Sequence, residues 1–269
     1  MDILTHIVSG FGASAVVAAF ANPKNLRKKR ILAAGALGGA FPEIDVISLW
    51  SKFDATLGKW FGLAHKGNEI YYGKFWYSHH AFFHSIAGAV ITGLLLMCLA
   101  YVYHCIRWKE QRERLYQFYS DNISVYHGFV LGCLVHVAGD LLTPASVWGG
   151  VQLFWPYAGY FGGFGKIWWW NNYDIFLIVL TGTLLNMVLI IFSRYLYVRA
   201  GMLTLLVALL VLTGVWLQAV TRKTDYSYSG HTRQYQLLER KSKEEQQRIL
   251  NPKVYHVMEN VDNSLPFNF

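Results

Sequence analysis

Ile175-Phe-Leu-Ile-Val-Leu-Thr-Gly-Thr-Leu-Leu-Asn-Met-Val-Leu-Ile-Ile-Phe-Ser193 contains no charged side chain and is bracketed by Asp174 and Arg194. A hydrocarbon core needs about 20 mostly apolar residues, so the stretch reads as a membrane-spanning helix. Met202–Val220, between Gly201 and Arg222, is a second of the same kind. Working outward, Ser85–Ile106 is nearly as clear, with only His104 near its far end. Ile3–Phe20, Ile31–Trp50 and Ile123–Leu142 carry ionisable residues and are rich in Gly and Ala, which suits close helix packing more than lipid exposure. The pattern predicts an all-α, polytopic membrane helix bundle of about six spanning helices over residues 1–220. A polar tail, 221–269, follows; within it Gln234–Leu250 is expected to form a short charged helix with Glu239 and Lys243 one turn apart.

Composition agrees with this class. Of the 269 residues 54% are hydrophobic and only 15% charged, too few charges for an ordinary soluble domain. The net charge of +8 sits largely in short basic clusters between apolar runs, where topology signals belong, so a nucleic-acid partner is not expected. No basic region precedes the first apolar stretch, and that segment is expected to be retained rather than cleaved as a signal peptide. Cys98, Cys105 and Cys133 all fall inside apolar segments and read as small buried hydrophobes.

Alternating six spans puts the clusters Lys24–Arg30, Arg107–Arg114 and Arg194–Arg199 on one side. They hold 11 Lys and Arg, against 4 in Ser51–Ser78 and 1 in Thr143–Tyr173. The positive-inside rule makes the clustered side cytoplasmic. His6, Asp45, His79, His84, His136 and Asp140 then converge on the extracytoplasmic face. Ionisable groups at such positions are expensive, and the default reading is a functional site. The Trp-rich loop Thr143–Tyr173 is expected at the headgroup level over that site.

His136-x-x-x-Asp140 is the strongest single motif, because a spacing of four points an imidazole and a carboxylate along one helix face, as a shared metal requires. The bland alternative is that the two pair only with each other. Pro42 in Phe41-Pro42-Glu43-Ile44-Asp45 is placed to break the second span, and Glu43 and Asp45 face one way on extended chain but diverge on a helix. In Tyr77-Ser78-His79-His80-Ala81-Phe82-Phe83-His84-Ser85, Ser78 is a candidate N-cap. Helical geometry pairs His80 with His84, whereas His79 and His84 share a site only if the helix begins between them. His6 alone would read as a surface histidine and gains weight from its depth. His65, His104, His127, His231 and His256 receive no role. No Gly-x-Ser-x-Gly elbow, phosphate-binding Gly-Lys-Ser/Thr loop or His-Glu-x-x-His is present, which leaves a metal-activated water as the natural nucleophile.

Taken in order, Met1-Asp2 with Leu4-Thr5-His6, Pro42-Glu43-Ile44-Asp45, His79 with His84-Ser85, and His136-x-x-x-Asp140-Leu-Leu-Thr143-Pro144 with Gly150-Val151-Gln152-Leu153-Phe154-Trp155-Pro156 resemble a known set. It is that of the inner-membrane metal-dependent hydrolases of the LexA-regulated type, and the likeness covers about residues 1–160. That family is similar to zinc-dependent phospholipases C and single-strand nucleases, whose metal clusters are built from His and Asp. The resemblance implies a helical membrane hydrolase with a phosphoester-type substrate, and it assigns His79 rather than His80 as the partner of His84. Where the family reads His-Arg-Gly-x-Thr-His-Ser, the Arg, Gly and Thr are replaced here, and His80 takes the arginine's place. Glu43 and Asp45 stand where two aspartates are more usual.

Two function classes follow. The first is a membrane-embedded metal-dependent hydrolase, phospholipase C-like, cleaving an amphiphilic phosphoester such as a membrane lipid headgroup at the extracytoplasmic face. His6, Asp45, His79, His84, His136 and Asp140 would hold roughly two or three ions, and Asp45 or Glu43 would receive the proton of the attacking water. The N and O donor set suits Zn2+, and Mn2+ or Fe2+ are compatible with it. The second is a non-catalytic membrane protein with a structural or transported metal. Transport sites sit near the midplane, while these donors lie at one face.

Overall fold

The structure is a computed structural model that describes residues 1–21, 28–107, 115–196, 199–265 and 269. Asp2 starts the first helix, accepting hydrogen bonds from the Thr5 N–H (2.7 Å) and hydroxyl (2.8 Å) and so capping α1 (Ile3–Phe20). α2 (Lys28–Ala40) runs on as a tighter 3-10 segment, Phe41–Leu49, from the point where Pro42 enters. α3 (Gly67–Tyr72) is a short helix outside the spans. α4 (Ile86–Arg107), α5 (Leu115–Asp140), α6 (Tyr173–Ile191), the short α7 (Ser193–Leu196) and α8 (Arg199–Val220) complete the bundle. Among the described residues six stretches are long and apolar enough to cross a membrane, and they coincide with the six expected from the sequence to within a few residues except at the start of the fourth, which reaches back to Leu115. No strand occurs among the described residues. Lys24, Arg27, Lys109, Arg112 and Arg114 of the basic clusters lie outside them, as do tail residues 266–268.

α1, α2 and α5 form the centre, with α4 against α5, α6 against α1, and α8 against α6 and α1. Backbones in the central trio approach closely because glycines face one another. A Cβ on Gly39 would collide with the His6 carbonyl, and one on Gly132 with the Gly35 carbonyl. This is the small-residue packing that membrane helices use in place of a hydrophobic drive. Ala15, Ala18, Ile31, Leu32 and Ile190 fill the adjoining core. On the outside, Leu95 and Leu99 of α4 and Leu206, Leu209 and Leu210 of α8 are exposed, as lipid-facing positions should be.

Two regions lie beyond the spans at the end of the bundle where α5 stops and α6 starts. The loop from Leu141 to Asn172 holds itself by paired bonds between Val151 and Phe161 (both 2.8 Å) and by Lys166 N–H to Leu142 O. Its tryptophans turn inward: Trp148 and Trp168 are buried and the others half-buried, while Phe154, Tyr157 and Phe164 are exposed. Trp148 is covered by Tyr71, Tyr72, His79 and His80 and Trp155 packs on Phe82, while the tail docks on the other three. Trp168 packs against Tyr226 and Tyr235, and Trp169 donates to the Tyr228 hydroxyl (3.0 Å). The tail contains α9 (Tyr235–Ile249), with the Lys243–Glu239 pair at 3.7 Å, and α10 (Pro252–Ser264). Phe269 is buried against Tyr173 and Phe176.

Gly39→Ala and Gly132→Ala are expected to lower thermal stability in detergent by roughly 1–3 kcal/mol each, the cost of overpacking. Gly214→Ala, whose added Cβ meets only Ile178 at 3.4 Å, should be neutral or stabilising. Equal melting points for all three variants would remove close approach as the organising contact.

Candidate metal centre

Each site residue owes its position to a local departure from regular helix. Pro42 has no N–H to offer the Gly39 carbonyl in the i→i+3 register that Phe41–Leu49 adopts. His136 of α5 uses that carbonyl, with Nδ1 2.7 Å from Gly39 O. A carbonyl only accepts, so Nδ1 carries the proton and Nε2 faces the site with its lone pair. Asp140, one turn on, ends the same helix.

The third contributing stretch departs from expectation. Ser78 does not cap a helix; its hydroxyl accepts from the Phe75 N–H (3.0 Å), and α4 begins only at Ile86, where Ser85 accepts from the Gly88 N–H (2.8 Å). His79 and His80 sit in a turn before the short 3-10 segment Phe82–His84, and His80 has φ of +63°. Non-glycine residues rarely adopt that region without surrounding structure to hold them. Here the clamp is the loop: Gln152 N–H donates to His80 O (2.8 Å), and His80 Nδ1 donates to Gly150 O (3.0 Å). Because the chain is not α-helical from 79 to 84, neither His79 nor His80 has to be excluded, and the rings of His79, His80 and His84 all lie within 5 Å of one another by centroid.

All six expected ligands come together, in two lobes joined by His84. In the first, His6 Nε2 is 3.1 Å from Asp140 Oδ1, His136 Nε2 is 3.0 Å from Asp140 Oδ2, and the His6 and His136 rings stack. The Met1 amine is also 2.8 Å from Asp140 Oδ1. In the second, His79 Nδ1 is 2.7 Å from Asp45 Oδ1. His84 faces both, with Nε2 3.3 Å from His136 Nε2 and Nδ1 3.5 Å from Asp45 Oδ2. Glu43 reaches His136 Nε2 at 3.7 Å and groups with Asp45 and His79 as well. On the 3-10 segment Glu43 and Asp45 leave the backbone in different directions, and the longer glutamate side chain closes the gap.

Among the described residues three groupings of donors could hold a metal ion: His6, Glu43, His136 and Asp140; Glu43, Asp45 and His79; and His79, His80 and His84. The donor set fits a metal on two counts. Ligand atoms about 2.0–2.2 Å from one tetrahedral ion stand roughly 3.3 Å apart, and the donor contacts here, from 2.7 to 3.7 Å, bracket that spacing. Secondly, His6 Nδ1, Asp45 Oδ2, His84 Nδ1 and Asp140 Oδ2 are buried with no hydrogen-bond partner among the described residues. Asp140 Oδ2 stands 3.0 Å from His136 Nε2 and 3.6 Å from His84 Nε2 with a hydrogen bond to neither. Buried polar atoms left in this state need a partner.

Electrostatics around the cluster follow burial. His80 is pushed well below the usual imidazole range by burial first, then by the neighbouring His79 and His84. Burial opposes charge on His79 too, but the charge and hydrogen bond of Asp45, then Glu43 and Asp140, outweigh it and raise its pKa. The Tyr71 phenol, stacked on His79, is raised by burial and by the carboxylates of Glu43 and Asp45. A cavity of about 650 Å3 opens onto Glu43, His79, His80 and Asp140. The Glu43 side chain is 26% exposed in it, whereas the histidines and both aspartates are buried. Trp148, from the loop expected over the site, also lines it, as do residues not anticipated from the sequence, Tyr71 and, from the tail, Tyr228 and Tyr235. The tail's share was signalled by the alternation Thr224, Tyr226, Tyr228 inward and Asp225, Ser227, Ser229 outward.

Residues 1–224 match the YdjM inner membrane protein family, and the chain belongs to it. The cell's inner membrane is therefore its location. No curated protein and no solved structure matches the chain.

Purified protein is expected to carry a divalent metal measurable by elemental analysis, lost in His136→Ala and Asp140→Ala and kept in His104→Ala. Unchanged metal in the first two would detach the cluster from metal binding.

Proposed function

We propose that the protein is a membrane-embedded, zinc-dependent phosphoesterase acting on an amphiphilic substrate at the extracytoplasmic face. The observation that carries the reading is the pairing of buried, partnerless donors with an open cavity that reaches them. A purely structural ion is enclosed by its ligands, whereas a hydrolytic one keeps a position open. Metal binding supplies the chemistry of a water made acidic enough to ionise near neutrality and of charge to hold phosphoryl oxygens.

The chain's own residues have separable roles in this scheme. His6, His136 and Asp140, with His84, hold one lobe; Asp45 and His79 hold the other. Gly39 and Gly150 carbonyls orient His136 and His80. Glu43 is the half-buried acid between the lobes, within reach of both and open to the cavity, and is placed to take the proton of the attacking water. The position of the cluster at helix ends suits a phosphate at headgroup depth, and the exposed apolar flanks of α4 and α8 keep the chain in the lipid phase from which such a substrate comes. The extracytoplasmic assignment is supported by the 11 basic residues grouped at or between the opposite helix ends.

Release of phosphate or a phosphorylated headgroup from mixed-lipid vesicles should be abolished by chelation and restored by Zn2+. Glu43→Gln should slow it by roughly 10²–10⁴ when the rate is expressed per bound metal, which separates loss of the base from loss of a ligand. Metal-replete protein inert across the lipid panel would leave the structural-metal reading in its place. For sidedness, Trp60→Cys in a background lacking the three native cysteines should react with an impermeant maleimide from outside the cell, and Arg107→Cys should not. The reverse pattern would turn the site to the cytoplasm.

A further inference from the structure

The last helix of the tail has an apolar side that the protein covers only in part. Counting about 100° per residue around α10, Val257, Val261, Val254, Met258 and Tyr255 fall in one continuous sector roughly 160° wide. Tyr255 and Met258, on one half of it, are buried. Val254, Val257 and Val261, on the other half, are 40, 61 and 40% exposed. Asp262, on the protein-facing half, accepts from the Tyr173 hydroxyl, the Asn171 amide (2.9 Å) and the Phe269 N–H (3.0 Å), so no bare charge interrupts the sector. Lys253, His256, Asn260 and Asn263 lie on the opposite side and are exposed. The valines therefore form a stripe along one flank of the helix, which scattered surface positions would not.

α10 docks on the side of a span. Tyr255 and Met258 share a buried cluster with Tyr173, Phe176 and Phe269, and Leu4, Val8, Leu177 and Leu180 pack around it. Residues 173–180 are the opening turns of α6, itself long and apolar enough to cross a membrane. The chain just before α10 meets the same surface. Ile249 and Leu250 line the end of a groove of about 520 Å3 between α6 and α8, beside Asp174 and Gln218. Farther along that groove Leu185 and Leu210 are exposed, as lipid-facing positions are. The tail thus reaches the bundle at the margin of its lipid-facing surface.

α9 supplies the contrast within the same tail. Leu238, Ser242, Glu245 and Gln246 face inward, and the outward positions Gln236, Arg240, Lys241, Glu244 and Gln247 are polar, Leu237 apart. That is the pattern of a helix between protein and water. α10, with one apolar flank on protein, the next one bare and a polar side opposite, has the pattern of a helix between protein, lipid and water. In the interface plane such a flank sinks about 5–10 Å into the boundary between headgroups and acyl chains. Lys253, at the edge of the stripe, has a stem long enough to lie along the acyl region with its ammonium among the headgroups.

We infer that α10 is a membrane-interface helix whose Val254, Val257 and Val261 flank lies in the acyl boundary of the leaflet on the cluster's side. The partner is the lipid surface itself. Tyr228 and Tyr235 of the same tail line the cavity over the cluster, so this wall of the cavity is tied at its far end to the bilayer. The family match ends at residue 224, and α10 lies outside it. The inference does not depend on whether the cluster hydrolyses a phosphoester.

The test is nitroxide accessibility on the full chain in phospholipid nanodiscs, with single cysteines in a background lacking Cys98 and Cys105; Cys133 is buried and stays. A nitroxide on Val257→Cys should be relaxed several-fold more by oxygen, which concentrates in the acyl region, than by a water-soluble nickel chelate, matching Leu210→Cys of α8. Asn260→Cys and, on α9, Lys241→Cys should show the reverse. A label on Val257→Cys as open to nickel as the one on Lys241→Cys puts the stripe in water and overturns the inference. A label shielded from both reagents means that a second copy or another protein covers the stripe, and overturns it equally. p-Benzoylphenylalanine in place of Val257, which leaves every native cysteine where it is, should photocross-link to phospholipid in cell membranes, and cross-links to protein alone would overturn the assignment.

Discussion

Asp140 is buried at the end of an apolar bundle, and a carboxylate in that position must be compensated where it stands, since an uncompensated buried ion costs several kcal/mol. Much else in the structure is arranged around this constraint. His6 arrives from α1, His136 from the preceding turn of α5, and His84 from the 3-10 segment before α4. Asp45 imposes the same demand on His79 and His84. Four separate stretches of chain are therefore held in register by two carboxylates. A slip of one helical turn, about 5.4 Å, would strand a charge, so the glycine contacts that draw α1, α2 and α5 together also position the chemistry.

The spans were legible because hydropathy is a local property: Ile175–Ser193 and Met202–Val220 need no tertiary information to be recognised. The ligands were legible for the complementary reason, that His and Asp at the ends of apolar segments have few bland explanations. What could not be read was set by contacts distant in sequence. Ser78 looked like a helix cap, but the helix start is decided by the Gly150–Gln152 clamp on His80, about 70 residues away. With that clamp in place His79, His80 and His84 converge, and the choice between His79 and His80 that helical spacing posed does not arise. Nor was the tail's cover over Trp168, Trp169 and Trp170 legible, since a polar tail gives little local hint of where it docks.

That docking is itself a charge problem solved at a helix end. Asp174 opens α6, where the helix dipole favours a carboxylate, and Arg222 follows the end of α8. Their two-pronged bond is completed by Gln246 of α9, which donates to Asp174 Oδ1 (2.9 Å) and accepts from the Asp174 N–H (3.0 Å). Arg222 also donates to Asn172 (2.7 Å). The network joins α6, α8 and α9 at the end of the bundle that carries the cluster. A tail held only by surface ion pairs would be weakly placed, because exposed pairs contribute little; this one is held by groups buried with their partners.

Features that read in the sequence as punctuation therefore act as parts of the site. Pro42 ends a helix, and by withholding an N–H it releases the Gly39 carbonyl that fixes the proton of His136 on Nδ1. Gly150, with φ of +109° and Phe161 O against the space where a Cβ would be, lets the loop backbone come close enough for its carbonyl to do the same for His80. Both imidazoles are left with Nε2 as the donor atom, oriented by backbone that cannot titrate. A side-chain acceptor in either place would add a charge to an already crowded cluster. Backbone carbonyls set the tautomer without one, which is how so many histidines can share a site with only three carboxylates in an apolar setting.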